Sequence, residues 1–378
     1  MNRIMRLWHI WGSVISLFAI VIFFSTGYFM KIRRDAPIVM PSGLSAKNEQ
    51  GKKLKYQHLL THEEILRAVI AEPKMGVKSW DDIYHLDWRP KKSMVKVKAN
   101  NLMEAQVNTV TGEVEVVSKR NYDWISRLHA GEMVGPNQNM NEKSTFDLTY
   151  YFLVSGFIFI FLIISGVYLW LKKMKTIGWK SLLSARGLHL WLTPIIVLPL
   201  LITALSGLVL QAKHYLPESF SPNDEYKQMK TAAVIVPKIE IPEFLKILKN
   251  NEAAKEANIK SWKDVWRVYT YPRSGHMVAR VYNKHDVGYE VRINSVTGEV
   301  QRAIPRYTDW IEDIHEGRFF ENKNFKWMSW GVFLSVQFIF ILSFISGLIL
   351  LIRYFWKKSK SKSKRRKRKK RKRSKKKQ

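Results

Sequence analysis

Four apolar blocks, residues 8–30, 148–171, 188–210 and 327–352, constrain this chain most, because none has an Asp, Glu, Lys or Arg in its interior. About 20 apolar residues at 1.5 Å rise each span the roughly 30 Å hydrocarbon core of a bilayer, and every block is long enough. Packed in water as core helices, the blocks would need an apolar shell around them. The stretches between them are too charged to supply it. The expectation is an α-helical membrane protein with four transmembrane helices, although 25% of all residues are charged. Arg3 and Arg6 precede the first block as in a secretory signal. Its apolar run is too long for such a signal and no small-residue cleavage site follows, so a retained helix is expected.

The net charge of +32 does not point to nucleic acid, because of where it sits. Of the 22 residues 357–378, 17 are Lys or Arg, over half of the excess. A segment so charged cannot bury apolar surface and is expected to be disordered. Directly after a membrane helix it reads as a topology anchor on anionic lipid. The loop 172–187 carries Lys172, Lys173, Lys175, Lys180 and Arg186 and no acid, and the N-terminus is also basic. By the positive-inside rule these parts and both termini are cytoplasmic, and the long mixed-charge segments 31–147 and 211–326 are extracytoplasmic. The organisation expected is helix 1–30, external domain 31–147, helix 148–171, loop 172–187, helix 188–210, external domain 211–326, helix 327–356 and tail 357–378. With no cysteine in the chain, disulfides, thiolate metal sites and iron–sulfur clusters are excluded.

The chain is also written twice. R-x-x-H-x-W occurs at 6–11 and again at 186–191. N-[TS]-V-T-G-E-V occurs at 108–114 and 294–300, and D-W-I-x-x-[LI]-H-x-G at 123–131 and 309–317. Ser165-Gly166 and Ser346-Gly347 hold matching places late in the second and fourth blocks. Each half is thus a helix, an external α+β unit and a helix. Residues 61–70 begin with a Thr-x-x-Glu capping box and continue with helical spacing. Residues 94–98 and 113–117 alternate as strands joined through the Asn-x-x-Thr-Gly turn. The second unit repeats this with a helix at 243–248 and strands at 277–281 and 289–293. Because each repeat has two membrane helices, both insert in the same orientation, and the expected symmetry axis lies along the membrane normal.

Ionisable residues at membrane depth are functional candidates. His9 and His189 hold equivalent places near the cytoplasmic ends of the first and third helices, and His129 and His315 equivalent places before the second and fourth. From His9 to Met30 a helix climbs about 32 Å, so the two pairs fall at opposite membrane faces. Two histidines related by a two-fold axis suit a haem iron, which takes axial imidazoles from opposite sides of its macrocycle. Trp8, Trp11 and Trp191 would wall the macrocycle, and Arg6 and Arg186 would pair with its propionates. The bland alternative is that these residues only anchor helices at the interface. No carboxylate recurs at a helical metal-binding spacing. His58, His62, His85, His276 and His285 read as surface residues; His214, just past the third helix, is a candidate for substrate contact. Pro194 and Pro199 are expected to kink the third helix, and Ser206-Gly207 to permit close packing.

These motifs together resemble the PepSY-associated transmembrane family, over the whole chain except the basic tail and in both halves. Members similar to this chain include bacterial inner-membrane ferric-siderophore reductases and iron-uptake factors carrying haem b. The resemblance implies PepSY-like external domains, two haems held by His9, His129, His189 and His315, and electron transfer to an extracytoplasmic ferric chelate. Some relatives carry a fused flavin–nicotinamide reductase domain. This chain has no G-x-G-x-x-G to suggest one, so the donor would be membrane quinol or a cytoplasmic flavoprotein. Two other readings stand beside it: a non-redox PepSY module that binds peptides or regulates a protease, and a transporter subunit built of parallel repeats.

Overall fold

The computed structural model describes residues 2–32, 39, 59–133, 146–173, 183–217, 220, 233–282, 288–317 and 326–374. The first repeat begins with helix α1 (Asn2–Ile32). It continues through α2 (His62–Ile70), strands β1 (Ile83–Arg89), β2 (Met94–Ala99), β3 (Met103–Asn108) and β4 (Val114–Lys119), and α3 (Asn121–His129). A short hairpin, β5 (Glu132–Met133) with β6 (Phe146–Asp147), leads into α4 (Thr149–Lys173). The second repeat has α5 (Ala185–Gln211), α6 (Ile241–Asn250), β7 (Val265–Tyr271), β8 (His276–Tyr282), β9 (Gly288–Asn294), β10 (Val300–Arg306), α7 (Tyr307–His315) and α8 (Lys326–Ser374). Helices α1, α4, α5 and α8 coincide with the four apolar blocks, and each is long and apolar enough to cross a membrane. Helix α5 runs unbroken through Pro194 and Pro199.

The chain divides into two compact units. One comprises Met1–Phe18, Val154–Leu208 and Asp313–Gln378; the other comprises Ala19–Leu153 and Val209–Glu312. In the second unit the expected pair of small α+β domains is a single body. Eight of its described strands form one antiparallel sheet in the order β10-β9-β8-β7-β1-β2-β3-β4. The halves join where β1 pairs with β7, with Leu86 opposite Thr270, Asp87 opposite Tyr269 and Trp88 opposite Val268. Leu86 and Trp88 occupy the places in β1 that Val268 and Thr270 occupy in β7, so the pseudo-two-fold axis passes through the Asp87–Tyr269 pair.

One sheet face packs on α2 and α6. Ile65 and Val69 of α2 and Phe244 and Leu248 of α6 share a core with Trp88, Val97, Val107, Val268, Met277 and Ile293. The capping box of α2 forms as expected, with Glu64 N donating to the Thr61 hydroxyl and Thr61 N donating to the Glu64 carboxylate. Across the repeats His62 Nδ1 meets Glu240 at 2.9 Å, and Nε2 meets Thr270 at 3.1 Å.

Several sequence expectations are corrected. The Asn-x-x-Thr-Gly turn joins β3 to β4, not β2 to β4; Met-Glu-Ala-Gln-Val in β3 lacks the β-branched alternation that marks β2. The seam strands β1 and β7 escaped the pattern because their second face, rich in charged and aromatic residues, is also covered. His62, His85 and His276 are therefore buried, not surface residues. The basic segment is helical as far as Ser374. It contains no Gly or Pro, Lys and Arg are good helix formers, and it propagates a helix already nucleated in α8. His58, His285, Lys175 and Lys180 lie outside the described residues, as does the side chain of His214.

Candidate histidine sites on the membrane helices

Each of the four duplicated histidines meets a Ser/Thr-Gly step on another helix of its own repeat. His9 Nδ1 is 2.8 Å from the Ser165 hydroxyl, and Gly166 faces His9 Cε1. His189 Nδ1 is 2.9 Å from the Ser343 carbonyl, one turn before Ser346-Gly347, and Gly347 faces the ring. His129 Nδ1 is 2.8 Å from the Thr26 hydroxyl, beside Gly27. His315 Nδ1 is 3.0 Å from the Thr203 carbonyl and 3.2 Å from the Ser206 hydroxyl, and Gly207 faces the ring. Thr26 follows His9 by 17 residues, the same spacing that separates Ser206 from His189. On α5 this spacing sets the His189 site and the His315 site about 26 Å apart along the helix axis.

The hydrogen bonds fix the tautomers. A carbonyl oxygen only accepts, so His189 and His315 must carry their proton on Nδ1. The Ser165 hydroxyl gives its single hydrogen to the Leu162 carbonyl at 3.2 Å, and Thr26 gives its own to the Ile22 carbonyl at 2.5 Å. Both hydroxyls must then accept from His9 and His129. In all four neutral rings Nε2 holds the lone pair. This is the form in which histidine ligates a metal, with Nδ1–H anchored by an outer partner. Burial holds the His315 imidazole below its ordinary value, against the opposing effects of the Thr203 carbonyl and Glu316, so that ring favours the neutral state.

The glycines make room for these rings. A Cβ on Gly207 would lie 2.8 Å from His315 Cε1, and one on Gly347 would lie 3.2 Å from His189 Cε1. At Gly166 and Gly27 the corresponding distances are 3.5 and 3.7 Å. Phe23 meets the His129 ring edge-on at 5.6 Å and is itself packed on Phe152. Arg6 and Arg186 are exposed, three residues before His9 and His189. Trp8 and Trp11 are exposed as well; Trp11 packs edge-on against Phe355.

Helices α3 and α7, which end in His129 and His315, are each pinned to the sheet at their start. Arg120 binds Glu104 at 2.6 Å and Asp123 at 2.7 Å. Its counterpart Arg306 binds Glu290 at 2.5 Å and Asp309 at 3.0 Å. Burial opposes charge on Asp123, yet Arg120 and Lys98 hold its carboxyl below the usual range. Sequence reading found the histidines and three Ser-Gly steps but missed Thr26-Gly27 and both arginine clamps. The 17-residue spacing after His9 would have disclosed the former, and the 186-residue offset shared by Glu104, Arg120 and Asp123 the latter.

Among the described residues no group of three or more His, Asp or Glu side chains converges as a metal site. The donors present are single imidazoles in the ligating tautomer, each backed by a helix and a glycine. That donor set fits axial ligation of haem, which asks the protein for one imidazole on each side of the ring. No curated protein matches the chain. The family model described as the PepSY-associated TM region matches it twice, over residues 6–222 and 186–376. The chain therefore belongs to the family of the PepSY-associated TM region and carries two copies of it in one polypeptide.

Proposed function

We propose that this chain is a di-haem membrane reductase that delivers electrons to a ferric chelate outside the cytoplasm. The observation that carries the reading is the fourfold recurrence of one arrangement: an imidazole with Nδ1 anchored on a helix, Nε2 left as the basic nitrogen, and a glycine against the ring. A structural histidine needs none of this repetition. Bound haem b would supply reversible one-electron chemistry at its iron.

The chain's own residues do the rest. His9 and His189 would hold one haem, and His129 and His315 the other. The Nδ1–H bonds raise imidazole basicity and stop ring rotation. Arg6 and Arg186 would balance propionate charge at the first site. The apolar helices exclude water from the ligands. The donor, quinol or a cytoplasmic flavoprotein, would act at the cytoplasmic face of a bacterial inner membrane in the orientation set by the basic segments.

Stopped-flow mixing of anaerobically reduced protein with ferric citrate tests this. Reoxidation of the protein's visible spectrum, with one ferrous ion formed per electron lost, is expected. A reduced protein stable towards every ferric chelate offered would overturn the reductase reading.

A further inference from the structure

Helix α8 does not stop where its apolar block does. It runs unbroken from Lys326 to Ser374. Residues 357–374 comprise 14 Lys or Arg and four Ser, with no acidic and no apolar residue, and 364–373 are ten consecutive cations. Along the helix that run begins about 12 Å and ends about 26 Å beyond Trp356.

The root of this extension is fastened to the first helix. Phe355 meets Trp11 edge-on at 5.9 Å. The Lys358 ammonium lies 5.9 Å from the ring centroids of both Trp11 and Tyr354, and that of Lys360 stands 3.6 Å over Trp356. Trp11 follows His9 on α1 by two residues, about 3 Å of rise. The extension is therefore rooted beside a histidine of the site at which electrons enter in the reading above.

Anionic lipid does not suffice as its partner. A helix lying in the bilayer interface buries an apolar face, and residues 357–374 have none. The attraction of a charged leaflet falls off within a Debye length, about 8 Å at physiological salt, so Lys357, Lys358 and Lys360 fall within its reach and the run 364–373 does not. Like charges one turn apart destabilise a helix, and this run holds no counter-charge of its own. It is complementary to an extended negative surface standing off the bilayer.

We propose that the basic extension of α8 is a docking arm for an acidic cytoplasmic flavoprotein, which it holds by charge beside the His9 site as the electron donor. That the partner donates electrons rests on the reductase reading; that it is acidic rests on the extension itself.

Titration of full-length protein in an uncharged detergent with oxidised flavodoxin, an acidic FMN protein, tests the arm. No electron moves in this measurement, so its failure is distinct from failure of the reductase reading. Binding with a Kd below about 1 mM is expected at low salt, and its loss at about 1 M salt, where the Debye length shrinks to about 3 Å. Ending the chain after Lys358 should weaken binding by about tenfold or more, mostly through slower association. Changing every residue from Lys364→Gln to Arg373→Gln, which keeps a good helix former at each position, should do the same. Reduced flavodoxin, passing one electron from each flavin to the chain, should reduce the shortened protein more slowly by the same factor. Equal affinity in all three proteins would overturn the arm. So would affinity that vanishes in nanodiscs of phosphatidylglycerol, which would give the extension to lipid, or an RNA oligonucleotide that displaces flavodoxin at lower concentration, which would give it to nucleic acid. Arm-dependent binding with an unchanged reduction rate would overturn the donor role.

Discussion

Replacing the four ring-facing glycines by alanine, one at a time, should give a graded series set by distance. Ordinary carbon contacts lie at about 3.5–4.0 Å. A Cβ at position 207 would stand 2.8 Å from His315 Cε1 and 3.3 Å from its Nδ1, so the imidazole must retreat by about 0.7 Å or more. That displacement strains the bonds to the Thr203 carbonyl and the Ser206 hydroxyl at once. Overpacking of this kind costs about 1–3 kcal/mol, partly offset by about 1 kcal/mol of helix propensity gained on leaving glycine. At Gly347 the approach is 3.2 Å and a small ring shift suffices. At Gly166 and Gly27, with 3.5 and 3.7 Å, the new methyl makes ordinary contact and the propensity gain survives. Haem content should therefore fall most in Gly207→Ala and less in Gly347→Ala, with Gly166→Ala and Gly27→Ala near the parent. The readouts are the pyridine haemochrome yield per chain and the thermal midpoint. Equal loss in all four variants, or a Gly27→Ala protein more damaged than Gly207→Ala, would refute the reasoning.

Other perturbations follow from the same geometry. His9→Ala and His189→Ala should deplete one and the same haem, and His129→Ala and His315→Ala the other; joint loss on changing His9 and His129 would break the symmetry-related pairing. Burial keeps the His85 pKa well below 6.5, with Lys98 adding to the shift. The unfolded chain thus binds the extra proton as pH falls through 6.5 and below, and stability should drop by up to about 1.4 kcal/mol per pH unit there. His85→Phe should flatten the Tm profile between pH 5 and 7, and a profile unchanged by that substitution would contradict the assignment. Ending the chain after Lys358 should leave haem content and ferric-chelate reduction with an artificial reductant unchanged in detergent. A loss above about tenfold, more than 1.4 kcal/mol of barrier, would give the basic segment a part in the electron path.

The parts of this molecule legible in its sequence are those governed by strong periodic signals. Blocks of uncharged residues gave the four helices, and the duplicated R-x-x-H-x-W and D-W-I-x-x-[LI]-H-x-G gave the four histidines in their equivalent pairs. The capping box at Thr61 and Glu64 located α2 to the residue. What escaped depends on contacts distant in sequence. Asp87 reads as a charge that should face water, and only the register of β1 on β7 places it on an internal symmetry axis. Lys98 looks like the polar half of an alternating strand, yet the second face of that strand is also covered. The union of two expected domains into one sheet could not be read locally, since nothing in Val265–Tyr271 marks which strand edge it will meet. The basic segment misled in the opposite direction: composition argued for disorder, while continuity with α8 carries the helix on.

The central claim is that four imidazoles hold two haems, and the haem b content of purified, folded protein tests it most directly. After expression with ample haem supply, the pyridine haemochrome assay should give about two haems b per chain, the number set by two axial imidazoles at each iron. The oxidised and reduced spectra should both be low-spin, as bis-imidazole ligation requires. A folded, monodisperse protein without colour would contradict the account.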